Sequence, residues 1–198
     1  KHPKWKMGKK ISIDSATLMN KMFEIIEAQR LFNLPNEKID ILIHPNSLVH
    51  AIVDFKNGIK KFIYHDTNMI IPIANAIFEE KVNIKDFLKK NEKKNYKINN
   101  LIFKKVDKKI FPIIKIKNKL NEYPSTPIII NGSNEILVDQ FLKKKAPFLG
   151  IIKIIMSVLK DRNYKKNAIQ KPKNINQIIK TDSWAKLTAL KKIKNFYE

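Results

Sequence analysis

Residues 1–24 read KHPKWKMGKKISIDSATLMNKMFE and pass from a basic segment into a helix-type run. Ser12, Asp14 or Ser15 can serve as N-cap, and Ile25, Ile26, Leu31 and Phe32 carry the apolar positions beyond. The spacing predicts one helix over Ser12–Phe32, ended by Leu34-Pro35-Asn36. On an ideal helix Asn20, Lys21 and Glu24 fall within an arc of roughly 100°. Ser15 would point away from them inside that helix. At the helix entrance, where a hydroxyl and free N–H groups favour anions, it would converge with them. A phosphate gripped by Ser15, Asn20 and Lys21 would then lie beside a carboxylate able to hold a hard cation. The plainer reading is a solvated face with Lys21 and Glu24 as an ordinary i,i+3 pair. Spacing alone leaves both open, with the solvated face ahead.

Downstream, three strand-like runs follow: Ile39–Ile43, Leu48–Phe55 and Ile59–Tyr64. Pro45-Asn46 breaks the first from the second, and Lys56-Asn57-Gly58 makes a hairpin-type turn between the last two. Met69–Phe78 reads as a short helix entered through Pro72. Residues 79–100 are rich in Lys, Asn and Glu and read as a linker or exposed arm. From about Leu101 the chain reads as mostly helical. Pro112 opens Ile113–Leu120, Asn131–Leu142 has Ser133 as a plausible cap, Phe148–Leu159 is amphipathic, and Ser183–Phe196 has Asp182 or Ser183 as cap. Such helices bury a common face by packing as a small bundle. The expected fold is α+β. A catalytic α/β segment with a small, mainly antiparallel sheet occupies 1–78, a linker 79–104, and a C-terminal helical domain 105–198.

The 198 residues suffice for a real core. No run approaches the roughly 18 apolar residues of a membrane-spanning helix. No signal peptide is visible, and no membrane partner is expected. The absence of Cys excludes disulfides, thiolate nucleophiles and Cys-type zinc sites. A net charge of +22 raises nucleic acid as a partner. Arg30 and Arg162 are the only arginines, however, and bidentate recognition of bases and phosphates leans on arginine. The lysines run from end to end, and Lys, Asn and Ile share A/T-rich codons. Compositional drift accounts for the charge, and no nucleic-acid partner is expected.

The run HPKWKMGKKISIDSATLMNK (residues 2–21), followed by LIHPNSLVHAIV and NMIIPIA, resembles the 1-deoxy-D-xylulose 5-phosphate reductoisomerase family. The resemblance is densest over residues 2–76 and continues more weakly through INGSNEILVDQFL (Ile130–Leu142). It implies NADPH- and divalent-metal-dependent (Mg2+, Mn2+ or Co2+) conversion of a sugar-phosphate substrate to 2-C-methyl-D-erythritol 4-phosphate. Position by position, it implies that Ser15, Asn20 and Lys21 bind the substrate phosphate and hydroxyls. Glu24 would be one carboxylate of the metal site and also touch substrate. His2 would contact substrate from a mobile loop that includes Trp5 and Met7 and closes over the ligand. Gly8 would lie against the nicotinamide cofactor, and Met69 near the substrate pocket, beside its plain reading as a core methionine. A homodimer and a cytoplasmic location, or a plastid stroma in a eukaryotic source, are implied as well.

Met22 stands where the family commonly has Gly, and Asn68 where it commonly has an acidic residue. The chain begins at Lys1, inside the motif, and has four glycines and no Gly-rich nucleotide-binding turn. It reads as a fragment, with the family's N-terminal NADPH-binding domain, further metal carboxylates and one more phosphate-binding serine expected outside it. Alone it is expected to be inactive. The competing readings are a remnant or phosphate-binding module without catalysis, and a basic nucleic-acid-binding protein. His44 and His50, interrupted by Pro45, read as structural histidines rather than a zinc pair, and Trp184 as a packing residue.

Overall fold

The computed structural model describes residues 7–79, 81–88 and 100–194. The expected helix over Ser12–Phe32 is two helices, α1 (Lys9–Ala16) and α2 (Met19–Phe32), joined at a corner. Leu18 sits there in the left-handed region at φ 64°. Thr17 makes the corner: its hydroxyl donates to the carbonyls of Ile13 (3.0 Å) and Asp14 (3.2 Å) and accepts from the Met19 amide at 3.4 Å. A side chain that satisfies both sides of a break lets the backbone leave helix geometry there. Burial of the Leu18 side chain offsets the left-handed backbone cost. Asp14 and Ser15 consequently lie inside α1 rather than at a cap. Asn33, at φ 51°, ends α2.

The chain divides into two compact units, one made of residues 7–41 with 106–194, the other of 42–105. This grouping by packing differs from the boundaries drawn at 78 and 105. The reason is physical: α1 and α2 bury apolar side chains in one core with the C-terminal helices. Met19, Met22, Ile25 and Ile26 of α2 join one core with Ile113, Ile116 and Leu120 and with the helices that follow. Ile113 and Ile116 belong to a 3-10 helix at Pro112–Lys119, opened by its proline as expected.

At the centre of this first unit runs α4 (Thr126–Leu142), packed against α5 (Phe148–Val158) and α7 (Ile175–Lys194), with short α6 (Tyr164–Ala168) between them. Both α4 and α7 start earlier than their sequences suggested. Pro127 is tolerated in α4's first turn, where no amide donor is needed. Ser133 is therefore no cap but a fully buried mid-helix residue. Asp182 and Ser183 are likewise interior to α7, where Asp182 pairs with Lys186 at 2.9 Å. The expected end of that helix at Phe196 lies outside the described residues. Trp184 packs on the core as expected.

In the second unit, β2 (Val49–Asp54) and β3 (Lys60–Tyr64) form an antiparallel hairpin, with Ile52 opposite Phe62. Gly58, at φ 87°, supplies the turn conformation that Lys56-Asn57-Gly58 required. Of the expected strand Ile39–Ile43 only β1 (Leu42–Ile43) forms, paired antiparallel with β4 (Lys104–Lys105). Ile39 and Ile41 pack on the first unit's core instead. Helix α3 (Ile70–Phe78) follows, with Pro72 in its first turn. Most of the expected linker, residues 80 and 89–99, lies outside the described residues. No described helix is long and apolar enough to cross a membrane.

Candidate functional site

Three of the predicted residues meet on α2. Asn20 Nδ2 donates to Glu24 Oε1 and Lys21 Nζ to Glu24 Oε2, each at 2.6 Å. The set is half-open to solvent, with Lys21 42% and Glu24 43% exposed. It joins an amide, an ammonium and a carboxylate on one helix face, in reach of a polar ligand without rearrangement of the core. The opposite face carries the fully buried Met19 and Met22, which fix how the polar face is turned.

Ser15 is on the other helix, three residues before the left-handed Leu18. Among the described residues its hydroxyl makes no hydrogen bond to the other three, though it is half-buried. Gly8 holds the N-cap position of α1, and its carbonyl accepts from both the amide (3.1 Å) and the hydroxyl (2.9 Å) of Ser12. A Cβ on Gly8 would meet nothing within 4 Å and its φ is −61°, so neither packing nor backbone demands glycine there. Met7 is half-buried. Met69 lies in the second unit, immediately before α3, and is 54% exposed, which removes the plain reading of a buried core methionine. His2 and Trp5 lie outside the described residues.

The sequence missed a cleft of about 1190 Å³ on the first unit, between α2 and the start of α7. Asn20, Phe23 and Arg30 line one wall, Ile178 and Ile179 the other, and Asn131 of α4 also lines it. Only Asn20 of the polar set reaches it. Periodicity would have put Asn20, Phe23 and Arg30 on one face of α2, but nothing local said that the start of α7 would line the same cleft.

For a divalent cation, Glu24 is suited as one hard-oxygen ligand. It does not make a site by itself, and among the described residues no three His, Cys, Asp or Glu gather closely enough to hold a metal. His44 Nδ1 lies 2.8 Å from the Ile102 carbonyl, with its ring stacked on Phe103. His50 Nε2 lies 3.1 Å from the His65 carbonyl and stacks on the His65 ring at 3.7 Å. Each ring is thus held by a backbone carbonyl and a stacked ring, although His44 Nε2 is buried without a hydrogen-bond partner. Among the described residues no glycine-rich turn between a strand and a helix offers a dinucleotide phosphate cradle.

An α+β chain that sets one polar helix face against a C-terminal helical bundle is the class defined by this geometry. Family models described as the 1-deoxy-D-xylulose 5-phosphate reductoisomerase C-terminal domain and the DXP reductoisomerase C-terminal domain match residues 1–32 and 66–188. The chain belongs to the 1-deoxy-D-xylulose 5-phosphate reductoisomerase family. It is 45% identical over 188 residues to the reductoisomerase of Pelagibacter ubique (strain HTCC1062), covering 94% of this chain and 48% of that protein. Identity to the protein of Wolbachia sp. subsp. Drosophila simulans (strain wRi) is 41% over 169 residues, or 80% of this chain and 41% of that one. A crystal structure of DOX-P reductoisomerase with NADPH, fosmidomycin and magnesium superposes with a TM-score of 0.88 at 32% identity, covering 100% of this chain and 49% of that one. The Zymomonas mobilis enzyme in complex with NADPH gives 0.76 at 29% identity, over 93% of this chain and 47% of that one. The chain spans about half the length of the relatives it matches.

Proposed function

We propose that this chain supplies the substrate-gripping face of an enzyme that converts 1-deoxy-D-xylulose 5-phosphate to 2-C-methyl-D-erythritol 4-phosphate. It would do so within a longer polypeptide, using NADPH and Mg2+, Mn2+ or Co2+, in non-mevalonate isoprenoid synthesis. The observation that carries the proposal is the Asn20–Lys21–Glu24 set, three exchangeable polar groups already hydrogen-bonded on one open helix face.

Lys21 donates charge-assisted hydrogen bonds to the substrate phosphate, and the Ser15 hydroxyl and Asn20 amide fix its orientation. Glu24 is one of the carboxylates that hold the cation, the others coming from outside these residues. When bound, the cation stabilises negative charge on substrate oxygens and NADPH supplies the hydride. Met7 helps to exclude water from the bound substrate. Gly8 leaves room for the nicotinamide, a use that agrees with the open space around its Cα. A homodimer and a cytoplasmic location, or a plastid stroma in a eukaryotic source, complete the reading, and sedimentation tests the first.

The deciding experiment follows substrate-dependent NADPH oxidation by a polypeptide that carries this chain as its C-terminal half. Turnover that requires both the sugar phosphate and a divalent cation supports the proposal. Absence of turnover in a folded, cation-loaded preparation sinks it. The 198 residues alone are expected to show none.

A further inference from the structure

Asp14 is the one charged residue among the described buried ones, at 2% exposure, and the proposed chemistry does not use it. Its Oδ1 accepts from Asn134 Nδ2 at 2.7 Å, across 120 residues of chain, and its Oδ2 pairs with Lys10 at 2.7 Å. Asn134 is itself fully buried, and its own Oδ1 has no partner, nor has the neighbouring Ser133 hydroxyl. Burying a carboxylate and an orphaned amide oxygen costs free energy that an apolar pair of the same size would not. What the polar pair adds is direction. A charge-assisted hydrogen bond restricts distance and angle, whereas apolar side chains let two helices slide.

Beyond that pair α1 has few contacts, among them Lys10 Nζ 5.6 Å from the centre of the Phe23 ring on α2. It is eight residues long, Lys9, Lys10, Ile11 and Ala16 are exposed, and only Ile13 packs on the core. Helix α4, whose Asn134 bonds to Asp14, is by contrast fixed twice to α7. Gly132 lets the α7 backbone approach so closely that a Cβ there would lie 3.1 Å from the Asp182 carbonyl oxygen. Lys186 of α7 bridges Asp182 (2.9 Å) and Glu135 (3.1 Å). Residues 131–135, NGSNE, thus present three consecutive devices: close approach at Gly132, a buried donor at Asn134 and an ion pair at Glu135.

We propose that Asp14 and Asn134 are positioning residues, whose hydrogen bond sets the α1–α2 corner, and with it Ser15 and the Asn20–Lys21–Glu24 face, at a fixed angle to α4. The inference rests on the proposed substrate site. Ser15 directly follows Asp14, and Thr17 closes the corner by bonding to the Asp14 carbonyl. Rotation of α1 therefore moves the Ser15 hydroxyl relative to the α2 face, and displacements of about 1 Å at such a site cost roughly 100-fold in rate.

The test uses the complete polypeptide, assayed 20 degrees below each variant's own Tm. Asn134→Asp sets two carboxylates against each other. The exchange D14N/N134D restores one amide and one carboxylate with the donor on α1. We expect N134D to lose at least tenfold in kcat/KM as folded protein, and the exchange to recover to within fivefold of the parent. A folded N134D with less than tenfold loss, its effect confined to Tm, overturns the proposal. So does a folded exchange variant as slow as N134D. Should N134D not fold, Asn134→Ala is judged by the same tenfold criterion. Lys21→Ala and Glu24→Gln run in parallel: if both stay active the site reading fails, whereas if both are impaired and N134D is not, only the positioning role fails.

Discussion

Lys21 holds its ammonium 2.6 Å from Glu24 Oε2, so the cation proposed to grip phosphate is paired with the carboxylate proposed to hold metal. Both side chains are nearly half exposed. A pair this open is worth about 0.3–0.5 kcal/mol on a helix, so an arriving phosphate and cation can part it at little cost. The pairing keeps each group near its working position and leaves it exchangeable.

Glu24→Gln should therefore separate function from stability. Turnover of the complete polypeptide should fall by roughly 100-fold or more, the scale for losing one preorganised electrostatic group. Unfolding free energy should move by no more than about 0.5 kcal/mol. Lys21→Ala should raise KM for the sugar phosphate by roughly 10- to 100-fold, as the loss of a charge-assisted hydrogen bond implies. Steady-state kinetics beside urea titrations measure both. Unchanged kinetics would return the set to an ordinary solvated helix face.

The polar set was legible in the sequence because i, i+1 and i+4 on one continuous helix need only local geometry. The hairpin was legible too, since Lys56-Asn57-Gly58 carries its own turn chemistry. The α1–α2 corner was not, because no Gly or Pro marks it. Leu18 takes a left-handed conformation that leucine rarely adopts, held there by Thr17 and by burial. For the same reason local rules offer Asp14, beside Ser12 and Ser15, as a cap. Its partner Asn134 is 120 residues away, and no periodicity within α1 could name it. The early starts of α4 and α7 were hidden by Pro127 and by the polar run before Asp182, each of which local rules read as a boundary.

Met22 is fully buried, in the core shared with Ile113 and Leu120, at a position where the family pattern led us to expect glycine. Its side chain fills space between α2 and the C-terminal helices, so Met22→Ala should cost about 2–5 kcal/mol. Met22→Gly should cost about 1 kcal/mol more through helix propensity. Chemical denaturation of the 198-residue chain reads both. A loss below about 1 kcal/mol for the alanine variant would mean that the core closes over the vacancy and that the methionine is a passenger.

Gly132→Ala opposes two effects. Alanine in mid-helix gains about 1 kcal/mol in propensity. The new Cβ, however, would meet Asp182 Oδ1 at 2.6 Å and the Asp182 carbonyl oxygen at 3.1 Å. The carboxylate can swing aside at the expense of its pairing with Lys186, but the carbonyl moves only with α7. Overpacking of this kind costs about 1–3 kcal/mol, so the variant should be net destabilised. Lys186 has its pKa raised by its hydrogen bond to Asp182, opposed by burial and reinforced by Glu135. Loss of that bond should bring its titration back toward the ordinary lysine value, observable by NMR of the ammonium. A net stabilised G132A would show that α4 and α7 are not in hard contact there.

Tyr164 gives the fold an alkaline limit. It is buried, donates to Glu122 at 3.1 Å and is hydrogen-bonded to Thr126 at 2.8 Å. Burial pushes its phenol up to about 12, against the Thr126 hydroxyl, with the Glu122 charge adding to the rise. An acid whose folded pKa exceeds its unfolded value, about 10, contributes stability that is complete below that lower value. The contribution fades as pH climbs from about 10 toward about 12, by on the order of 2 kcal/mol. Tyr164→Phe removes the ionisation, so the difference in unfolding free energy between the two proteins should be flat below pH 10 and shift toward the phenylalanine variant above it. Lysines and exposed tyrosines titrate in both proteins and cancel in that difference. A difference that stays flat to pH 12 would place the Tyr164 hydroxyl in water rather than between Thr126 and Glu122.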